Sequence, residues 1–310
     1  MQRGIAAVRI PADYITWTVL ARIFREIVQE SRVSVQIIFL VRFCTAAALG
    51  AAVLGPTVWV AAAAWLLSTI AAYVFNGVMD RTEDRANGST RPISRGSLPV
   101  PVALAGVAGA AATAVLLAWA VDPSGLLMLL VLGNLALGYA YSGAPFYGKR
   151  RGDTAALLVL GSGMLTYAAG WQAAGRLGGL PVLVLGAAMS LWMACVGAVV
   201  KDLSDVEGDA AAGRRTPAVV WGATRVRVLA GANAALIAGG YLTAAVTVAP
   251  VLLPSAFALV AGALGVIVLA AATGRADTRA GRRLPYQAYM IAQYAVHIVV
   301  LVTLIPAAVL

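Results

Sequence analysis

Charged residues are scarce in this chain. Asp, Glu, Lys and Arg make up 12% of its 310 residues, where a soluble domain carries about 25%. Acids are the scarcer sign, 13 against 23 bases, and lysine occurs only at Lys149 and Lys201. Such a composition excludes an ordinary water-soluble domain. The bases lie in loops between apolar runs, which argues against nucleic acid as a partner. The two cysteines, Cys44 and Cys195, sit inside apolar segments, so neither a disulfide framework nor a thiolate metal site is expected. Strict apolar–polar alternation is missing, which excludes a membrane β-barrel. No cleavable signal peptide is expected, because the first strongly apolar segment comes late and lacks a small-residue cleavage site.

What the chain has is hydrophobic sequence. Apolar residues make up 61% of it, in Ala-, Leu- and Val-rich runs of roughly 20 residues, the length a helix needs to cross a bilayer. Nine spans are expected, at 33–54, 57–80, 100–121, 124–144, 154–173, 181–203, 218–247, 252–273 and 286–309. Gly55-Pro56, Asp122-Pro123, Gly179 to Pro181 and Pro250 to Pro254 mark turns between them. The loops alternate in charge. One set holds Arg81, Arg85, Arg91 and Arg95, then Lys149 to Arg151, then Arg214 and Arg215, then Arg275, Arg279, Arg282 and Arg283; the other holds only Asp122 and Arg176. That asymmetry puts the basic loops in the cytoplasm, with the N-terminus inside and the C-terminus outside. Abundant Ala, Gly and Arg with little Lys points to a bacterial cytoplasmic membrane.

Residues 1–32 read as a separate interfacial segment. Ile15, Val19, Ile23 and Ile27 recur every four residues with Arg22, Arg25 and Glu26 at other positions. This is an amphipathic helix lying on the membrane surface or capping a pocket mouth. Residues 33–310 form the spanning domain. The expected fold is all-α: nine transmembrane helices around a central cavity with a cytoplasmic polar cap.

Seven of the 13 acids gather in two stretches. In NGVMDRTEDRANGSTRPISRGSLP, Asn76, Asp80 and Asp84 are four apart and share one helix face. In KDLSDVEGDAAAGRRTP, Asp202, Asp205 and Asp209 are three and four apart, again one face. Carboxylates at a membrane edge are costly unless something neutralises them. Hard oxygen ligands suit Mg²⁺, which is held by one or two carboxylates plus substrate phosphates. Two facing acidic helices would hold Mg²⁺ ions and a diphosphate between them. Lys149, in YSGAPFYGKRR after Tyr139 and Tyr141, would complete a diphosphate clamp with Lys201 and Arg91.

These motifs resemble those of the UbiA superfamily of intramembrane prenyltransferases, whose two acidic motifs are written NDxxDxxxD and DxxDxxxD. The likeness covers nearly the whole chain. It rests on NGVMDRTEDRANGSTRPISRG with Asn87 and Arg91-Pro92, on YSGAPFYGKR, and on KDLSDVEGDAAAGRRTPA. One position departs: Gly77 stands where the family often has the Asp of its Asn-Asp pair. The resemblance implies Mg²⁺-dependent transfer of a prenyl group from a prenyl diphosphate to a small, often aromatic acceptor inside the bilayer. It implies Asn76, Asp80, Asp84, Asp202, Asp205 and Asp209 as metal ligands, and Arg91, Lys149, Lys201 and Asn87 on the diphosphate. Asp80, Asp202 and Lys149 are the expected catalytic residues, with Tyr139 or Tyr141 stabilising an allylic cation through its ring face. A membrane terpene cyclase would share both motifs and need no acceptor, and phosphoribosyl transfer to a polyprenyl phosphate is a further variant. A transporter of anionic substrates would instead need charge at mid-membrane and broken helices.

Other polar residues fall within spans. Tyr289, Gln293 and His297 share one face and read as a cavity stripe or an interhelical hydrogen-bond ladder. Arg42 is an intramembrane charge that is either functional or snorkelling. Asn134 is a candidate for the cavity wall, and Trp171 and Trp192 for packing.

Overall fold

A computed structural model describes residues 17–51, 54–86, 88–273 and 278–309. Among the described residues there are helices, turns and bends but no strand. In chain order the helices begin α1 (Trp17–Glu30), α2 (Val33–Gly50), α3 (Pro56–Met79), α4 (Arg81–Ala86), α5 (Pro92–Arg95), α6 (Val100–Val121), α7 (Leu126–Ser142) and α8 (Gly152–Ala173). After these come α9 (Gly179–Leu191), a π-helical turn (Trp192–Gly197), α10 (Ala198–Asp202), α11 (Val206–Ala211), α12 (Pro217–Trp221), α13 (Ala223–Thr247), α14 (Leu253–Ala272), α15 (Arg279–Arg282) and α16 (Leu284–Val309). Eight of the expected spans are helices long and apolar enough to cross a membrane, among them the continuous stretch Gly179–Asp202. The remaining one, α7, is apolar but 17 residues long. The expected span 218–247 is divided, because Gly222 takes a positive φ of 80° between α12 and α13.

Two large apolar cores, and a small third one around Ile93 and Leu98, hold the bundle. One joins α2, α3, α6, α7 and α8 around Phe43, Trp65, Leu127 and Val131. The other joins α9, α10, α13, α14 and α16 around Trp192, Leu259, Val266 and Val296. Between membrane helices the hydrophobic effect supplies little attraction, so close packing through small residues does the work. Gly170 of α8 illustrates it: a Cβ there would collide with the Phe43 carbonyl of α2. Gly262 of α14 faces Ala292 of α16 in the same way. A cavity of 1120 Å³ opens where the two cores meet, lined by α2, α3, α7, α8, α10 and α16. The π turn sits on its wall and brings Met193 and Gly197 to it.

α1 is turned inside out relative to a helix on a soluble protein. It exposes Trp17, Leu20 and Phe24 and buries Glu26 and Glu30. An outward apolar face suits lipid, and the acids close onto the loop after α3.

The close α2–α8 approach makes a sharp test. Gly170→Val should lower unfolding stability in detergent by about 1–3 kcal/mol through overpacking. Gly109, with open space around it, should tolerate Ala with no such loss. Equal effects at the two positions would contradict the packing described.

Candidate active site

α3 carries Asn76 to its C-terminal end, and Asp80 caps the helix. The bonds Asp80 N to Asn76 O, 2.9 Å, and Asp84 N to Asp80 O, 2.8 Å, carry helical winding on into α4. Asn76, Asp80 and Asp84 therefore keep the common face their spacing predicts, and all three line the large cavity. The second motif does not form the expected single face. α10 ends at Asp202, and a new helix starts after Asp205. Ser204 Oγ bonds to the Lys201 carbonyl at 3.0 Å and to Asp205 Oδ1 at 3.2 Å. Such local side-chain bonds compete with helix continuation. The acids fan out as a result. Asp205 faces the large cavity, Asp202 faces a second cavity of 470 Å³, and Asp209 lies in the wall between them. The smaller cavity runs between α8 and α13 past Val159, Cys195, Trp221 and Asn233.

Two loops bring cations to this wall. Arg215 N donates to the Arg150 carbonyl at 2.9 Å, and Gly152 N donates to the Arg215 carbonyl at 3.3 Å. This pairing sets Lys149 beside Arg214. Lys149, buried, donates to Asp80. Arg214 donates to Asp80 at 2.9 Å and to Asp209 at 3.3 Å, and also pairs with Glu83. One guanidinium thus joins both motifs. Arg91 bridges Asp84 at 2.8 Å and Glu30 at 2.6 Å. Asp205 is paired with Arg279 at 2.8 Å and lies 3.9 Å from Lys201. Asn76 Nδ2 donates to Ser142 Oγ at 2.8 Å. Burial alone would raise the Asp80 carboxyl, but Lys149 and Arg214 outweigh it and hold Asp80 below the usual range. Asp205 is held low against burial by Lys201 and Arg279. Burial wins at Asp209, which is raised despite Lys201 and Arg214.

Not every expected residue converges. Tyr141 lines both cavities, but Tyr139 lines neither. Tyr139 is half exposed, stacks on Phe75 and donates its hydroxyl to the Ala144 carbonyl at 2.6 Å. The reason is the pitch of α7: residues two apart point to different sides of a helix. Lys201 lines both cavities, and Asn87 lies outside the described residues. Glu207 points away, with its side chain 88% exposed. Among the described residues no three of His, Cys, Asp and Glu gather closely enough to hold one metal ion by themselves. Arg214 and Glu30 were not singled out from the sequence. Arg214 reads there as a plain loop cation beside Arg215, and Glu30 falls within the 1–32 interfacial segment.

The far end of the cavity holds Arg42, which does not snorkel. It is fully buried, donating from Nη1 to Met193 Sδ at 2.7 Å and from Nη2 to Gln293 Oε1 at 2.6 Å. Its Nε has no partner, and no carboxylate pairs with it among the described residues. Tyr289, Gln293 and Asn134 also line the cavity. His297 does not, bonding instead to Tyr167 Oη at 2.7 Å and the Gln293 carbonyl at 2.5 Å. Trp192 is buried against Tyr289, and Trp171 donates to the Leu177 carbonyl at 2.7 Å.

The model of the UbiA prenyltransferase family matches residues 37–303. Several solved structures share the fold. A UbiA homolog from Archaeoglobus fulgidus bound to GPP and Mg²⁺ has a TM-score of 0.72 at 17% identity, covering 90% of this chain and 99% of that one. A structure of digeranylgeranylglyceryl phosphate synthase has a TM-score of 0.69 at 15% identity, covering 92% and 99%. The apo UbiA homolog from Aeropyrum pernix K1 has a TM-score of 0.58 at 18% identity, covering 87% and 97%. Among curated proteins, none matches the chain.

Arg214 holds three acids at once, and its loss leaves the buried Asp209 without its ion-pair partner, while Asp80 keeps Lys149. Arg214→Met should destabilise the folded protein by about 3 kcal/mol. Asp80→Asn combined with Arg214→Met should cost less than the sum of the single changes, because the two groups interact. Denaturant unfolding in detergent measures both, and strict additivity would refute the bridge.

Proposed function

Because the chain belongs to the UbiA prenyltransferase family, we propose that it transfers a prenyl group from a prenyl diphosphate to a small aromatic acceptor within the membrane. Eight long apolar helices make it a multi-pass membrane protein. In the proposed topology α7 is the ninth span, the basic loops and the acidic cap face a bacterial cytoplasm, and residues 1–32 lie at the interface ahead of the 33–310 catalytic domain. Seventeen helical residues span about 25 Å, which a modest local adjustment of the bilayer accommodates.

The donor set fits a hard divalent ion. Asn76, Asp80, Asp84 and Asp205 offer oxygen to the large cavity, Asp202 to the smaller one, and Asp209 to the wall between them. Donors of this kind, oxygen only, suit an ion that takes one or two carboxylates and completes its shell from phosphate and water. The Archaeoglobus fulgidus homolog binds Mg²⁺ with GPP, and we assign Mg²⁺ here. When bound, Mg²⁺ supplies Lewis-acid neutralisation of the departing diphosphate. The protein's own cations do the rest. Lys149, Arg214 and Lys201 neutralise carboxylates and would turn to the diphosphate oxygens once a metal ion held those acids, while Arg91 would stay between Glu30 and Asp84 at the edge of the diphosphate site. The allylic C–O bond breaks with its electron pair leaving on the diphosphate. The acceptor's nucleophilic atom bonds the allylic carbon, and its proton is lost to water at the cytoplasmic mouth. Tyr141, on the cavity wall, presents the ring that faces the cation.

The observation that favours transfer over cyclisation is Arg42. A cyclase must hold a carbocation through several steps in its cavity. A fixed guanidinium in the wall of that cavity opposes it, since like charges about 4 Å apart repel by about 4 kcal/mol at an effective dielectric of 20. A short-lived cation captured by an acceptor near the acidic mouth avoids that repulsion.

Two measurements test this reading. Purified protein given geranyl diphosphate and Mg²⁺ alone should return almost no hydrocarbon or terpene alcohol, and a panel of phenols and hydroxybenzoic acids should yield a prenylated product; efficient acceptor-free terpene formation would support the cyclase instead. Asp80→Ala and Asp202→Ala should each lose about a thousandfold in turnover, as a loss of about 4 kcal/mol in transition-state stabilisation implies. Glu207→Ala should keep near wild-type activity, and EDTA should abolish turnover in all variants. Equal losses at Asp80 and Glu207, or full activity in EDTA, would refute the metal-diphosphate site.

A further inference from the structure

Gly77 is the position at which the first motif departs from the pattern it resembles, and its space is not empty. Gly77 is buried near the end of α3. A Cβ there would collide with Glu30 Oε1 and would lie 2.6 Å from Arg91 Nη2 and 3.0 Å from Glu30 Cδ. The volume of a side chain at 77 is therefore taken by a carboxylate arriving from α1. Glu30 is fully buried. Its Oε2 accepts from Ile93 N at 2.9 Å, its Oε1 lies 2.6 Å from Arg91 Nη2, and its backbone carbonyl accepts from the same nitrogen at 2.8 Å. The other amino group of Arg91 donates to Asp84 Oδ2 at 2.8 Å. Among the described residues nothing bonds to Asp84 Oδ1.

We propose that Glu30 stands in for the side chain absent at Gly77 and is a positioning residue that, through Arg91, holds the Asp84 carboxylate for a divalent ion. This rests on the reading of the first acidic motif as a metal site. Three features carry it. A buried acid at this spot needs a cation, and Arg91 is the one it meets. Arg91 pinned from both sides cannot swing, so Asp84 Oδ2 is fixed and Oδ1 is left for a metal. Outer partners that orient a ligating carboxylate are part of a metal site's design. Only glycine at 77 leaves room for the arrangement.

Mn²⁺ affinity provides the test, followed by electron paramagnetic resonance with full-length protein in detergent and saturating geranyl thiolodiphosphate, which ionises slowly. Glu30→Gln keeps the shape and removes the charge, and should weaken Mn²⁺ binding about tenfold, the lower end for loss of an orienting partner. Gly77→Asp in the wild-type background should also weaken it, because the new carboxylate crowds Glu30. In a Glu30→Ala background the same Gly77→Asp should strengthen binding, since the introduced carboxylate then meets Arg91 without competition. This reversal of sign is the signature of a transferable carboxylate. A Glu30 that merely fastens α1 would lower the unfolding temperature and leave Mn²⁺ affinity unchanged, which overturns the proposal. So would a Gly77→Asp change that acts with the same sign in both backgrounds. If the wild-type protein binds no Mn²⁺, the metal-site reading and this inference both fall. If it binds Mn²⁺ and Glu30→Gln matches it, only the inference falls.

Discussion

Buried charge at a membrane edge must be neutralised, and in this protein one guanidinium does so for both acidic motifs at once. Arg214 touches Asp80 and Glu83 of the first acidic motif and Asp209 of the second. Those acids belong to opposite halves of the bundle, each with its own apolar core. The apolar cores explain why each half is compact, and the ion pairs join the two halves along the polar wall of the cavity between them. Buried ion pairs add little net stability compared with apolar packing of the same volume, but they are costly to break. Such a set is suited to fixing geometry, and a site that must handle a diphosphate needs geometry above all.

The sequence revealed the fold class because bilayer thickness constrains helix length directly. Residues 100–121, for example, are an unbroken apolar run, and α6 has those limits. It revealed the first motif's face because winding continues through Asp80 despite the helix end there. The fanning of Asp202, Asp205 and Asp209 was not legible, since it depends on Ser204 bonding the Lys201 carbonyl and the Asp205 carboxylate in preference to helix. The separation of Tyr141 from Tyr139 needed the rotation of α7, which an all-round apolar helix does not encode in its pattern. Arg214 and Glu30 were hidden for a third reason: Asp209 lies five residues from Arg214, but the contacts that make the two residues part of the site, Arg214 to Asp80 and Glu30 to Arg91, span 134 and 61 residues and leave no trace in local sequence.

The arrangement of pre-paired charges bears on how a substrate enters. Before a diphosphate arrives, Asp80, Asp84, Asp205 and Asp209 are each already ion-paired. In the proposed reaction a diphosphate with metal ions would exchange partners within this existing network, and would not need to create a charged site in apolar surroundings. Exchange of this kind keeps the count of buried unpaired charges constant, which is where the several-kcal/mol penalties of burial lie.

Arg42 breaks that balance and so gives the cavity a direction. At the mouth, acids and cations are matched; at the far end, a lone guanidinium faces a thioether, an amide oxygen and the Phe39 ring. An isolated buried cation is a standing cost unless its surroundings supply electron density. In the proposed reaction a carbocation therefore forms near the acids and is repelled from the depth of the cavity. In that proposed reaction an electron-rich acceptor would settle with its negative end toward Arg42, which would lower that standing cost. The two ends of the cavity differ in charge, matched by ion pairs at one and a guanidinium without a carboxylate at the other.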